Sequence, residues 1–180
     1  MIYYPMVLRF TTLIFFFLTI HVSAQNPAPK KNDPLKDSVE KYQEQKLFGK
    51  VLPFAEKWVE KLKQEHKEES PDFGTALNSL GEALSRTGKS NDAGPILIQA
   101  LDIRKKVLGE THLDVATSLS SLGIWNSNSG NFEKAEQLHL QALEIRKKAY
   151  GENHLDVALS LNNLGICYWR EGEYEKAELF

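Results

Sequence analysis

Two short motifs contain residue types that can bind a metal ion. Histidine and aspartate stand two residues apart at His112 and Asp114, and again at His154 and Asp156. Imidazole and carboxylate groups are both metal ligands. A lone pair that recurs at the same turn of a repeated unit is better explained by hydrogen bonds that form the turn and cap a helix. The spacing therefore predicts no metal site.

The sequence also lacks the motifs of common enzyme classes. It holds no glycine-rich phosphate loop, no G-x-S-x-G elbow and no H-E-x-x-H helix. Its single cysteine, Cys167, has no plausible histidine base and lies on the apolar face of a predicted helix, so we interpret it as a small buried hydrophobe. One cysteine also excludes an intramolecular disulfide and a cysteine-based zinc site. We therefore expect neither enzymatic activity nor a cofactor.

Charge is balanced along the chain, with 22 lysines and arginines, 24 aspartates and glutamates, and a formal net charge of -2 at pH 7. Basic runs recur at residues 104–106 and 146–148, near the ends of predicted helices. Positive charge is favourable at a helix C-terminus, so we interpret both runs as solvated helix ends. Because the charges are interspersed rather than gathered into a basic stripe, nucleic acid is a poor candidate partner.

The first 24 residues differ from the rest. The segment Met1 to Val22 is apolar or uncharged except for Arg9 and His21, and Phe10 to Ile20 is an unbroken uncharged run. A short basic n-region, an apolar stretch and small residues before a cleavage point are typical of a secretory signal peptide. Residues 1–24 are therefore predicted to be removed, and the protein to be exported to the periplasm, the cell surface or the extracellular medium.

An uncleaved membrane anchor is the alternative for this segment. Ile2 to Leu8 adds apolar residues that could lengthen the run toward the roughly 20 needed to cross a bilayer. Arg9 in the middle argues against a span. In this alternative the protein would meet the membrane only through its N-terminal segment.

The remaining chain contains an internal repeat with an offset of 42 residues. Residues 101–138 align with residues 143–180 without a gap and share about 22 identities in 38 positions. The same offset reaches back more faintly, because residues Asp72, Leu77, Leu80, Gly81, Gly88, Ala93, Ala100 and Leu101 fall on Asp114, Leu119, Leu122, Gly123, Gly130, Ala135, Ala142 and Leu143.

These alignments define the expected organisation of the chain. Repeats are predicted at about residues 72–113, 114–155 and 156–180, the last of them incomplete. Residues 35–71 are predicted to form a degenerate helix pair that acts as an N-terminal cap, since end repeats are usually atypical. Residues 25–34 hold three prolines and no large apolar residue, which predicts an extended linker.

Each repeat is predicted to contain two helices. The first begins near Asp114, which is placed to act as its N-cap, and Asp72 and Asp156 repeat that signal. Gly130 and Asn131 end this helix. The second helix is predicted over residues 132–150, with Gly151 after its end.

Small residues recur at fixed places in both helices. Close packing of two antiparallel helices requires them, because a bulky side chain would force the axes apart. The pattern resembles the tetratricopeptide repeat, and the 42-residue period with the stretches GETHLDVA and LNNLG is similar to the longer variant typified by kinesin light chains and many bacterial repeat proteins. This resemblance implies an all-α, right-handed superhelical solenoid of antiparallel helix pairs. The small residues that carry it are Gly81, Gly123, Gly165, Ala93, Ala135, Ala177, Ala100 and Ala142.

The resemblance also implies that the first helices line a concave groove that binds a peptide or protein segment. Asparagine and arginine there can donate to carbonyls or carboxylates of a partner, and Ile166 and Trp169 can supply an apolar anchor. The bland alternative is a solvated polar face. Carried over by position, the predicted groove residues are Asn78, Glu82, Arg86, Ser120, Ile124, Asn128, Asn162, Ile166, Trp169 and Arg170, on a wider face that includes Thr75, Ser85, Thr117, Ser127 and Leu159.

The sequence therefore predicts a protein-protein interaction scaffold. Because residue 180 falls inside a helix whose equivalent runs to residue 150, we also expect the chain to be part of a longer protein. The second hypothesis for function is accordingly a sensor or regulatory region of a larger signalling or hydrolytic protein.

N-terminal sequencing of the exported protein tests the predicted cleavage. We expect Gln25 as the first residue, because the small residues just before it suit a signal peptidase. An intact Met1 would instead support the membrane anchor.

Overall fold

The computed structural model describes residues 33–180, so the predicted signal peptide and almost all of the predicted linker lie outside the described residues. Residues 33–180 form eight α-helices and no strand. In chain order they are α1 (Pro34–Glu44), α2 (Phe48–Gln64), α3 (Pro71–Arg86), α4 (Ser90–Leu108), α5 (Leu113–Asn128), α6 (Phe132–Tyr150), α7 (Leu155–Glu171) and α8 (Tyr174–Ala177).

The helices form a row of stacked pairs. Each helix packs against the next one in the chain, and the first helices of successive repeats, α3, α5 and α7, also contact one another. This arrangement confirms the predicted all-α solenoid, and α6 has the predicted limits. None of the helices within residues 33–180 is long and apolar enough to cross a membrane.

The N-caps of the first helices differ from the prediction. The Nδ1 atom of His112 accepts a hydrogen bond from the backbone N–H of Asp114 at 3.1 Å, and His154 does the same for Asp156 at 3.2 Å. The aspartates lie inside the first turn, where a carboxylate suits the positive end of the helix dipole. In α3 the cap is Ser70. The prediction that aspartates cap these helices is therefore wrong, whereas the predicted capping role of the His-x-Asp motif is confirmed.

Close contact within the α3–α4 and α5–α6 pairs depends on a glycine in the first helix. A Cβ atom added at Gly81 would lie 2.6 Å from Cγ of Leu97, and one added at Gly123 would lie 2.7 Å from Cε1 of His139. Both distances are far below van der Waals contact, so a larger residue would push the two helices apart. The predicted role of Gly81 and Gly123 is confirmed, whereas a Cβ atom at Gly165 would meet only ordinary contacts at 3.5 Å.

Contact between pairs uses a different set of side chains. The indole of Trp125 in α5 packs against Gly94 in α4, where an added Cβ would lie 2.4 Å from the ring, and its Nε1 donates to the carbonyl of Ser90 at 2.8 Å. Cys167 occupies the equivalent place in α7, and its Sγ lies 3.8 Å from the carbonyl oxygen of Phe132. Cys167 is buried, as predicted, and burial raises the pKa of its thiol.

A buried arginine near the end of the second helix α4 joins two successive pairs. Arg104 is only 3% exposed, and its Nη1 donates to the carbonyl of Asp114 at 2.9 Å and to the hydroxyl of Ser118 at 2.8 Å. Its Nη2 donates to Thr75 at 3.1 Å, so one guanidinium links α3 to α5. The prediction that the basic run is a solvated helix end is wrong for this residue, because Arg104 lies on the inner face of α4.

Arg104 and Lys106 belong to the same run, and we expect truncation of Arg104 to cost much more stability than truncation of Lys106. Arg104→Ala removes three hydrogen bonds and leaves a cavity, so it is expected to lower the free energy of unfolding by about 2 to 4 kcal/mol. Lys106→Ala removes only an exposed ion pair to Glu69 and should cost less than about 1 kcal/mol. Urea unfolding followed by circular dichroism measures both, and equal losses would contradict the role assigned to Arg104.

Candidate functional site

Most of the predicted groove residues lie on an accessible face of α3, α5 and α7. Arg86, Asn128, Asn162 and Arg170 are exposed, Ile124 is half-buried, and 47% of Ile166 and 64% of Trp169 are exposed. Three predicted residues have another role, because they lie between neighbouring first helices: these are Asn78, Glu82 and Ser120.

Glu82 is a hydrogen-bond acceptor shared by three helices. Its carboxylate accepts from Asn78 at 3.1 Å, from Ser121 of α5 and from Gln43 of α1 at 3.4 Å. Asn78 is buried and also lies 3.4 Å from the hydroxyl of Ser121. The prediction that Asn78 offers an open contact to a partner is wrong, because α5 covers it. Glu82 is half-buried, and its oxygens are occupied by the protein itself.

Ser120 is corrected in the same way. It is buried, and its hydroxyl accepts from Nη1 of Arg146 at 2.9 Å. The same Nη1 donates to Ser160 of α7 at 2.6 Å, so Arg146 repeats one interface later the link that Arg104 makes between α3 and α5. The prediction that the basic run 146–148 is a solvated helix end is therefore wrong for Arg146, which is half-buried. Ser120 therefore helps to hold two repeats together, and the prediction that it lies in the groove is wrong.

Three cavities follow one another along this face. We call them the first, second and third cavity, with volumes of about 70, 170 and 480 Å³. Arg86 and Ile124 line both the first and the second, and Ile166 lines both the second and the third. Their other lining residues are Glu82, Ser85, Leu97 and Ser121 in the first, Ser127, Asn128, His139, Asn163 and Arg170 in the second, and Asn162, Gly165, Trp169, Tyr174, Ala177, Glu178 and Phe180 in the third.

Shared walls make these cavities one groove. Arg86, Ile124 and Ile166 come from α3, α5 and α7 respectively, so the groove crosses the first helices of three repeats. The structure thus brings together Arg86, Ile124, Asn128, Ile166 and Arg170 around the second cavity. Asn162 and Trp169 lie further along, in the third.

His139 in the second cavity was missed by the sequence analysis. It is only 2% exposed, and its Nδ1 has no hydrogen-bond partner in the protein. Burial, with a smaller contribution from the Arg146 guanidinium, lowers the pKa of His139 from 6.5 to about 4. The imidazole is therefore neutral at neutral pH. Its signal was present in the repeat alignment, because His139 falls on the apolar Leu97.

No cluster of three or more potential metal ligands occurs in the part of the chain that the structure describes. The groove itself presents guanidinium, amide, hydroxyl and aliphatic groups. These groups suit hydrogen bonding and apolar contact with a polypeptide.

The family model of the tetratricopeptide repeat matches residues 72–148 and 127–180, which together cover more than half of the chain. The chain belongs to the tetratricopeptide repeat family. It is a repeat scaffold of a kind that generally mediates protein interaction rather than catalysis. A comparison with curated proteins found no match.

Solved structures share the tetratricopeptide repeat architecture. BtubC (BKLC) from P. vanneervenii superposes with a TM-score of 0.69 at 24% identity, over 83% of this chain and 62% of that one. A putative kinesin light chain from Podospora anserina with nearly identical TPR-like repeats gives 0.69 at 21% identity, over 79% and 68%. The apo form of RapI gives 0.64 at 18% identity, over 83% and 55%. The chain therefore spans less than two thirds of the length of BtubC and RapI.

Protonation of His139 is expected to destabilise the fold in acid. Between pH 6.5 and about 4 the unfolded chain binds a proton at this residue and the folded chain does not. The free energy of unfolding therefore falls as the pH drops through this range, by up to about 3 kcal/mol.

Urea unfolding near pH 7 and near pH 4 measures this effect. His139→Leu should lose clearly less stability between the two pH values than the unsubstituted protein. His154→Asn provides the control, since asparagine can still cap the helix and residue 154 is exposed. An unchanged pH dependence in His139→Leu would refute the assignment.

Proposed function

We propose that this protein is a scaffold that binds a segment of another protein in the groove along α3, α5 and α7. The observation that carries the proposal is the continuity of the three cavities. The second cavity shares Arg86 and Ile124 with the first and Ile166 with the third. A continuous groove can hold several successive side chains of an extended or helical segment. An isolated pocket would suit a small molecule better.

The groove offers contacts of two kinds. Arg86 and Arg170 can donate to backbone carbonyls or carboxylates, although Arg170 also donates to Asn128 in the free protein. Ile166 and Trp169 expose apolar surface at the boundary of the second and third cavities. Exposed aromatic and arginine side chains are enriched where protein partners bind. The combination supports a peptide with apolar anchors and polar backbone contacts.

We also propose that binding takes place outside the cytoplasm. This part of the proposal rests on the composition of residues 1–24, in which a short n-region with one positive charge precedes an apolar run. The partner would then be another exported protein or the outer part of a membrane protein.

Two matched substitutions test the groove. Ile166 and Leu140 are aliphatic and similarly exposed, at 47% and 44%, but only Ile166 lines the cavities, while Leu140 lies on the second helix α6. Dodecapeptides are first selected from a random phage library on the purified protein. Their dissociation constants are then measured by fluorescence anisotropy.

Ile166→Asp is expected to weaken these peptides tenfold or more, because burying an isoleucine contributes about 1.5 to 3 kcal/mol. Leu140→Asp should leave their affinity unchanged. Circular dichroism of both variants confirms folding. If both substitutions weaken binding equally, or neither does, the groove is not the binding surface.

A further inference from the structure

A fourth cavity, of about 400 Å³, lies on the N-terminal side of the groove, where α1 turns into α2. It is lined by residues 46–50, which form this turn and the start of α2, and by Arg86 and Thr87 at the end of α3. Arg86 also lines the first and second cavities. The fourth cavity is therefore continuous with the groove and extends it to the N-terminal helix pair.

The lining of the fourth cavity is basic. Lys46, Lys50 and Arg86 bring three positive charges, and among residues 33–180 no carboxylate group lines the cavity. All three side chains are exposed. The chain as a whole has a formal net charge of -2 at pH 7, so this positive charge is a local feature and does not follow from the composition.

The three cations of the fourth cavity have no internal counter-ion. Within residues 33–180 none of them forms an ion pair, whereas other lysines such as Lys36 pair with a carboxylate. Lys50 has no acidic residue three or four positions away along its helix. Glu82 lies one turn before Arg86, but its carboxylate accepts hydrogen bonds from three other side chains. The positive charge of the cavity therefore remains available to an external anion.

Aromatic rings, rather than carboxylates, position two of these cations. The Nζ atom of Lys50 lies 5.7 Å from the ring centroid of Tyr42, and Cζ of Arg86 lies 5.2 Å from that of Phe48. The face of a ring attracts a cation and leaves most of its N–H groups free to donate. A carboxylate that enters the cavity can accept from them.

The backbone of Lys46 has a conformation that is uncommon for lysine. Its φ is 55°, and the equivalent residues at the 42-residue offset are Gly88, Gly130 and Gly172, whose φ values are 86°, 81° and 94°. This left-handed region favours glycine, because it brings the Cβ atom of other residues close to the backbone. The turn therefore does not need a lysine for its own geometry. Glycine can replace Lys46 and remove its charge without disturbing the turn.

We propose that the fourth cavity binds carboxylate side chains of the segment that the groove holds. This inference rests on the proposed function, since it assigns the chemistry of one end of that segment. The three unpaired cations and the wall that Arg86 shares with the groove carry the inference. At the other end, Ile166 and Trp169 expose apolar surface to the third cavity. The segment thus has acidic residues towards α1 and apolar residues towards α7.

Hexaglutamate and hexaglutamine test the requirement for charge without a known partner. Amide ¹H–¹⁵N spectra of the full chain are recorded during titration with either peptide or with inorganic phosphate. We expect hexaglutamate to shift the signals of residues 46–50, 86 and 87 in a saturable way. Its affinity should fall as salt is added, because the cations are exposed. Hexaglutamine should not shift these signals, and phosphate should bind more weakly, since a single small anion contacts fewer cations.

Two double variants with the same change in net charge locate the site. Lys46→Gly with Lys50→Gln should weaken hexaglutamate about tenfold, as the loss of two exposed ion pairs implies. Lys57→Gln with Lys63→Gln is the matched control, because both lysines are exposed on α2 but do not line the cavity. It should leave the affinity nearly unchanged. Thermal unfolding followed by circular dichroism should show no loss of stability from Lys46→Gly.

The dodecapeptides that are selected from the phage library link the cavity to the groove. They should contain more aspartate and glutamate than the library does. Those that carry acidic residues should also bind more weakly to the Lys46→Gly, Lys50→Gln variant, and should bind the control variant as they bind the unsubstituted protein.

Four results would overturn the proposal: equal shifts with hexaglutamine and hexaglutamate, tighter binding of phosphate than of hexaglutamate, equal loss of affinity in the two double variants, or selected peptides without an excess of acidic residues. None of them would affect the test of the groove by Ile166→Asp. Conversely, failure of that test with an intact hexaglutamate result would leave a carboxylate site without a groove. The two proposals therefore fail separately.

Discussion

The apolar surface of each helix pair in this protein is covered by the neighbouring pair. Leu97 and Leu101 of α4 belong to one buried cluster with Leu119 and Leu122 of α5 and with Leu138 of α6. Two repeats therefore share a single core. A lone pair would leave this surface in water, at about 25 cal/mol for each Å² exposed. Stacking fixes how far apart α3, α5 and α7 lie, and the groove is the space that stacking leaves open.

The fold was predictable because its determinants are local and periodic. Gly81 and Gly123 lie 42 residues apart, at positions where the two helices of a pair pack too closely for a larger side chain. The helix limits follow from turn glycines such as Gly151. The capping atoms were not predictable, since His112 and Asp114 both carry an acceptor and only the backbone geometry decides between them. Arg104 was misassigned because its run was read as a unit, although it follows the buried Leu101 by three residues and so shares its face.

The site was predicted less completely than the fold, for a geometric reason. The face of a first helix that is not packed against its own partner is divided between the next first helix and solvent. Asn78 and Ser120 lie on the part that the next repeat covers, whereas Arg86 and Asn128 lie beyond it. Helical periodicity assigns all of them to one side. Only the distance between α3 and α5 shows which residues stay accessible.

The side chains at equivalent interfaces differ from one repeat to the next, and a change on one helix is matched by a change on the helix that it contacts. Trp125 in α5 requires the space above Gly94, while the equivalent pair in the next interface is Cys167 and Glu136. The smaller thiol leaves Glu136 free to accept from the hydroxyl of Tyr168. Each interface therefore stays packed although its side chains differ. Since packing against the neighbour is preserved in this way, exposed residues of the first helices, such as Arg86 and its equivalent Asn128, can differ between repeats without altering the stack that positions them.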